Sequence, residues 1–160
     1  MSSSKLSHVR EDGSVTMVDV GAKAATARTA RAEARVRLNV AAATALREAT
    51  LAKGDALAAA QIAGIMAAKR TDELIPLAHP LALSAVDVAF AWDDETTLRV
   101  SARASTTGQT GVEMEAMVAV SIAALTVYDM CKALDKGIVV ETVRLIEKTG
   151  GKSGDWTASS

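Results

Sequence analysis

The chain is short of aromatic residues, cysteine, proline and surplus charge. Phe90, Trp92, Tyr128 and Trp156 are its only aromatics in 160 residues, which excludes base stacking on aromatic platforms as in RNA-recognition motifs and OB-folds. The core must then be built from Ala, Val, Leu and Ile. A single cysteine, Cys131, allows no intramolecular disulfide and no cysteine-based zinc cluster, and it suits a reducing compartment, the cytoplasm. Eighteen Lys and Arg against 19 Asp and Glu leave a net charge of -1, so no global basic field draws the chain to nucleic acid or anionic lipid, and any anion site must be local. The longest uncharged apolar stretch, Met117 to Val127, is too short to span a bilayer, and the N-terminal MSSSKLSHVREDG has no apolar signal core. The expectation is a soluble, unexported protein with no nucleic-acid or membrane partner.

What is present is globular: 49% hydrophobic and 23% charged residues, in a length that gives one domain, 1–160, and buries roughly 70% of its unfolded surface. Residues 1–14 read as a flexible polar arm with a turn at Asp12-Gly13. From Arg28 onward, Ala30, Ala32, Ala34, Val36 and Leu38 alternate with Arg31, Glu33, Arg35 and Arg37, the period of a half-buried strand. Residues 41–52 read as a short helix. Asp55 then caps a second helix that runs through Arg70, and Pro76 and Pro80 bracket a rigid loop. Alternation at 86–92 and 98–104 about Asp93-Asp94-Glu95-Thr96 predicts an antiparallel hairpin. The apolar segment from Val112 to Lys136, closed by Gly137 at C′, predicts one long buried helix. Ile138 to Glu147 is a last strand, and 148–160 a flexible tail. Strand, helix, strand, strand, helix, strand is the split βαβ plan of a ferredoxin-like α+β sandwich, an antiparallel sheet with helices on one face.

Several residues stand where chemistry is possible. Lys148-Thr149-Gly150-Gly151-Lys152-Ser153-Gly154 contains Gly-Lys-Ser but is no P-loop, because Ile146 stands where the motif needs glycine and no helix follows. A loose tail is its plain reading, and glycine amides with two lysines folding over an anion the sharper one. His79 in the stiff pre-proline loop has no Cys, His or Asp cluster around it, so a zinc site is not expected. Glu113 and Glu115 suit a helix N-terminus, whereas Asp129 lies where the dipole disfavours a carboxylate, one turn from Lys132. Lys53 gains nothing from the dipole at the helix start it precedes. Arg28, Lys69, Lys148 and Lys152 complete a set of cations suited to a polyphosphate.

Six strings then carry a resemblance: Met17-Val18-Asp19-Val20, Lys69-Arg70-Thr71, Leu74-Ile75-Pro76-Leu77 into His79-Pro80, Thr107 through Ala116 (TGQTGVEMEA), Tyr128-Asp129-Met130-Cys131-Lys132, and Gly150 through Asp155 (GGKSGD). From about residue 6 to 156 the chain resembles the cyclic pyranopterin monophosphate synthase (MoaC-type) family of molybdenum cofactor biosynthesis. The resemblance implies a lyase that rearranges the 3′,8-cyclised GTP intermediate to the pyranopterin, with release of pyrophosphate as a cyclic phosphate closes. It implies Asp129, Lys132 and Lys53 as catalytic residues, and Leu77, Ala78, His79, Met114 and Glu115 as substrate contacts supported by Arg28, Lys69 and Glu113. Ala78 stands where the family usually has cysteine, which removes thiol chemistry there. The family fold is ferredoxin-like, assembled as a hexamer of three dimers. No tightly bound cofactor is implied, and Mg2+ can accompany the triphosphate. The competing reading, from a different class, is a non-catalytic ferredoxin-like nucleotide-binding or assembly module, which would return the cyclised nucleotide unchanged.

Overall fold

A computed structural model describes residues 8–159; the first seven residues of the expected arm lie outside that range. The alternating run beginning at Arg28 forms β1 (Thr26–Arg37), whose Ala30, Ala32 and Ala34 face inward. The hairpin is β2 (Leu83–Trp92) and β3 (Thr97–Gly108), and β4 (Val139–Thr149) follows the long helix. They lie in one antiparallel sheet in the order β2-β3-β1-β4, extended at the β4 edge by a two-residue β5 (Trp156–Thr157). This is the α+β ferredoxin-like plan.

Register explains how a core almost without aromatics closes. Ala30, Ala32 and Ala34 stand opposite Ala104, Ala102 and Val100, and all six are buried. Small side chains on the two central strands let the long helix approach closely, and it meets them with buried Ala116, Ala119, Ala123 and Ala124. Close-packed small residues replace bulk as the source of dispersion contacts.

The helices are shorter than expected, for local reasons. α1 (Val40–Arg47) starts on Asn39, whose side chain accepts from Ala42 N at 2.8 Å, and it stops as Ala49 turns left-handed (φ 53°). α2 (Ala56–Ala68) has the expected cap, Asp55 accepting from Ala58 N at 3.0 Å. A single turn, α3 (Thr71–Leu74), follows it unforeseen. α4 (Glu113–Cys131) ends before Lys136, because Leu134 N and Asp135 N both donate to Cys131 O. Asp135 takes Gly137 N on one carboxylate oxygen and Asn39 N on the other, so Gly137 closes a side-chain-braced turn instead of sitting at C′. By length and composition α4 is apolar enough to cross a membrane, but here it is the central core helix against β1, β3 and β4.

Residues 8–15 and 148–157 carry hydrogen-bonded structure where a loose arm and tail were expected. Asp12-Gly13 does make a turn: Asp12 Oδ1 accepts from Ser14 N at 2.9 Å, and Val9 bridges Val15. Residues 148–160, expected as a tail, begin inside β4. Trp156 and Thr157 then fold back to pair with Lys148 and Glu147.

Candidate active site

At the C-terminal end of α4, Asp129 is gripped by two ammonium groups. Lys132 Nζ donates to Oδ1 at 2.7 Å, and Lys53 Nζ donates to Oδ2 at 3.3 Å and to the Asp129 carbonyl at 2.6 Å. Lys53 arrives from the turn before α2, a contact across 76 residues that spacing did not reveal. The hydrogen bond from Lys132, then that from Lys53, holds the Asp129 carboxyl below its usual range, and Asp129 in turn raises the Lys132 ammonium. The three groups are solvent-exposed and lie at a helix end where an unpaired carboxylate is unfavourable. This arrangement favours the charged form of Lys132.

At the opposite end of α4, the loop before β2 meets the helix N-terminus. Leu77, Ala78 and His79 line a cavity of about 420 Å³ together with Glu113, Met114 and Glu115, so the two strings share one site. His79 Nε2–H donates to Val18 O at 2.6 Å, which leaves Nδ1 for a ligand. Ala78 spends its N–H on Ile75 O, so only its carbonyl remains free for such contact. The Glu113 carboxyl lies over Gly111, whose missing side chain makes the room: a Cβ there would stand 1.9 Å from Oε2. Glu115 is 4% exposed, and burial, reinforced by the charges of Glu113 and Asp72, pushes its carboxyl up to about 7. That is a value suited to moving protons at neutral pH.

A third group adjoins the second. Arg28 and Lys152 line a basin with Ser153 and Lys23, and Lys23 also lines the His79 cavity. Arg28 is oriented by carbonyls, its Nε donating to Gly108 O at 3.0 Å, and its guanidinium packs where a Cβ on Gly151 would fall. Lys148 reaches Ser153 Oγ. None of the three basin cations pairs with an acid among the described residues, so the basin is a local positive field in a nearly neutral protein.

The expected residues therefore divide. Lys53, Asp129 and Lys132 form one cluster; the His79 cavity and the Arg28 basin adjoin each other at Lys23. Lys69 lines a neighbouring hollow with Leu81 to Val86 at the end of α2, and Leu81 also lines the His79 cavity. Lys23 was missed, although it is the one cation in the small-residue stretch from Gly21 to Ala27. From Glu115 to Asp129 is fourteen residues of unbroken helix, or ~21 Å.

Against known proteins, residues 17–151 match the family model described as the MoaC family. The chain is 52% identical over 152 residues to the cyclic pyranopterin monophosphate synthase of Brevibacillus brevis, covering 95% of each chain. It is 55% identical over 154 residues to the protein of that name in Novosphingobium aromaticivorans, covering 96% of this chain and 98% of the other. With that of Streptomyces avermitilis it shares 55% identity over 155 residues, at 97% and 91% coverage.

Proposed function

The chain belongs to the MoaC family, and from that premise we propose how its residues carry the reaction of its relatives, the conversion of the 3′,8-cyclised GTP intermediate to cyclic pyranopterin monophosphate. The observation that carries the assignment of parts is Lys23, which lines both the His79 cavity and the cation basin. One ligand with a ring at one end and phosphates at the other suits two hollows that adjoin at Lys23. His79, Glu113, Met114 and Glu115 take the ring. Lys23, Arg28, Lys148 and Lys152 take the triphosphate, while Lys69 contributes from the neighbouring hollow that meets the ring cavity at Leu81.

Opening a purine ring and re-closing it on a sugar carbon requires several proton transfers, and the catalytic groups supply them. Lys132, held as a cation by Asp129, and its neighbour Lys53 donate; Glu115, pushed up to about 7, exchanges protons at the ring end. Closure of the cyclic phosphate forms a bond from a substrate hydroxyl to the α-phosphorus, breaks the bond to the bridging oxygen and expels pyrophosphate. The basin cations stabilise the charge that develops on the leaving group. The rearrangement requires no redox cofactor. Mg2+ accompanies the triphosphate as its counter-ion in this reading.

A separation of ~21 Å between Glu115 and Asp129 is too great for one small reacting centre within a chain. The site is therefore shared: a neighbouring subunit brings its Lys53, Asp129 and Lys132 to the ring cavity, in a hexamer built as a trimer of dimers. Apolar surface supports association. α2 is apolar on every side yet leaves Ile62 and Met66 exposed, and Leu125 of α4 is exposed as well. The cytoplasm is the assigned compartment, on the strength of one buried free thiol, Cys131. Incubation with the cyclised GTP intermediate and mass analysis tests the reading: pyranopterin and pyrophosphate are expected, and recovery of unchanged substrate from assembled protein overturns it.

A further inference from the structure

Lys23 sits in a segment without regular secondary structure, between the turn at Asp19 and the start of β1. Its neighbours Gly21, Ala22, Ala24 and Ala25 have little or no side chain with which to anchor it. Two local bonds shape the segment: Gly21 N donates to Asp19 Oδ1 at 2.8 Å, and Lys23 N donates to Val20 O at 3.0 Å. Neither ties it to the body of the domain. That tie is Gln109, whose Nε2 donates to Gly21 O at 3.1 Å across 88 residues. The same residue holds Arg28 by different atoms: its main-chain carbonyl accepts from Arg28 Nη2 at 3.3 Å, beside the Gly108 carbonyl that accepts from Nε.

We infer that Gln109 is a positioning residue of the phosphate basin, its side chain holding the turn that carries Lys23 while its main chain orients Arg28, so that one residue sets the spacing of two cations. The inference rests on the reading of the basin as the triphosphate subsite. A flexible lysine on an untethered glycine-alanine segment would have to be ordered each time an anion binds, and that ordering opposes binding. The Gln109 amide removes the backbone part of that cost in advance by fixing the turn at Gly21.

Because the two cations depend on different atoms of Gln109, a side-chain replacement separates them. Gln109→Met keeps the length and the main-chain carbonyl but loses the donor, so it frees Lys23 and leaves Arg28 in place. The loss of one positioning hydrogen bond is expected to raise KM for the cyclised nucleotide, and Kd for pyrophosphate measured by calorimetry, by roughly three- to tenfold with little change in kcat. Gln109→Asn, one methylene short, should behave alike. In a Lys23→Ala background Gln109→Met should add nothing, whereas in an Arg28→Ala background the two losses should multiply. A merely structural Gln109 would lower the melting temperature and weaken binding equally in all backgrounds. Losses that multiply with Lys23→Ala, or a silent Gln109→Met beside a damaging Lys23→Ala, overturn the inference alone. A Lys23→Ala variant that binds pyrophosphate as well as wild type overturns the subsite reading, and the inference with it.

Discussion

Asp129 shows how a single residue can be read from its misfit. A carboxylate in the last turn of α4 faces the negative end of the dipole, and the only arrangement that tolerates it supplies cations, here Lys53 and Lys132. Lys53→Ala and Lys132→Ala should each lower turnover by about 10²-fold or more while leaving the melting temperature near wild type, because the pairs are exposed and contribute little to stability. Near-normal turnover in either soluble, assembled variant would remove it from the catalytic set. Glu115 makes the opposite case, a carboxyl buried in the ring cavity. Its ordinary value is 4.5 and its folded value about 7, so between those limits the folded state binds more protons than the unfolded one. Stability from this group therefore falls as pH rises from about 4.5 to about 7 and levels off beyond. Glu115→Gln should flatten that slope, its melting temperature gaining on wild type across the window; a difference that stays constant with pH would show that Glu115 does not titrate there.

At the scale of elements, the α2–α4 contact is set by one glycine. A Cβ on Gly64 would stand 2.9 Å from the Ala119 carbonyl, 3.2 Å from Val88 Cγ2 and 3.3 Å from Ala123 Cβ. Alanine would gain about 1 kcal/mol of helix propensity, but overpacking against backbone costs about 1–3 kcal/mol, so Gly64→Ala should destabilise on balance. Thermal unfolding measures it, and an unchanged or higher melting temperature would mean that the helices part without strain. Gly150 at the end of β4 is more restricted. Its φ of 82° is left-handed, and a Cβ would fall 2.3 Å from the Ala27 carbonyl of β1. Gly150→Ala should therefore displace the turn that presents Lys152 and Ser153, weakening pyrophosphate binding more than a Lys152→Ala substitution does.

For the whole molecule, the two ends of α4 predict assembly. If each site combines the ring cavity of one subunit with the Asp129 cluster of another, inactive Glu115→Ala and inactive Asp129→Ala proteins should regain activity when mixed under conditions that exchange subunits. Hybrid oligomers then contain sites with both groups intact. Failure to regain activity despite demonstrated exchange would confine each site to one chain.

Period and caps by themselves determined the strands, the hairpin and the Asp55 helix start, because these depend on neighbours a few residues apart: the alternation from Ala30 to Val36 and the carboxylate before Ala56 act locally. The Asp129–Lys132 pair was legible for the same reason, being one helical turn long. Only the tertiary structure decided how the turn after α4 is braced, since Asp135 is claimed by Asn39 N from across the chain, and that residues 156–157 close on β4 as a strand too short to show a period. It alone brought Lys53 to Asp129, placed Lys23 between cavity and basin, and set Lys69 in a hollow that adjoins the cavity at Leu81. Those meetings join residues far apart in the chain, and they follow from strand order and helix crossing, which no local pattern of residues encodes.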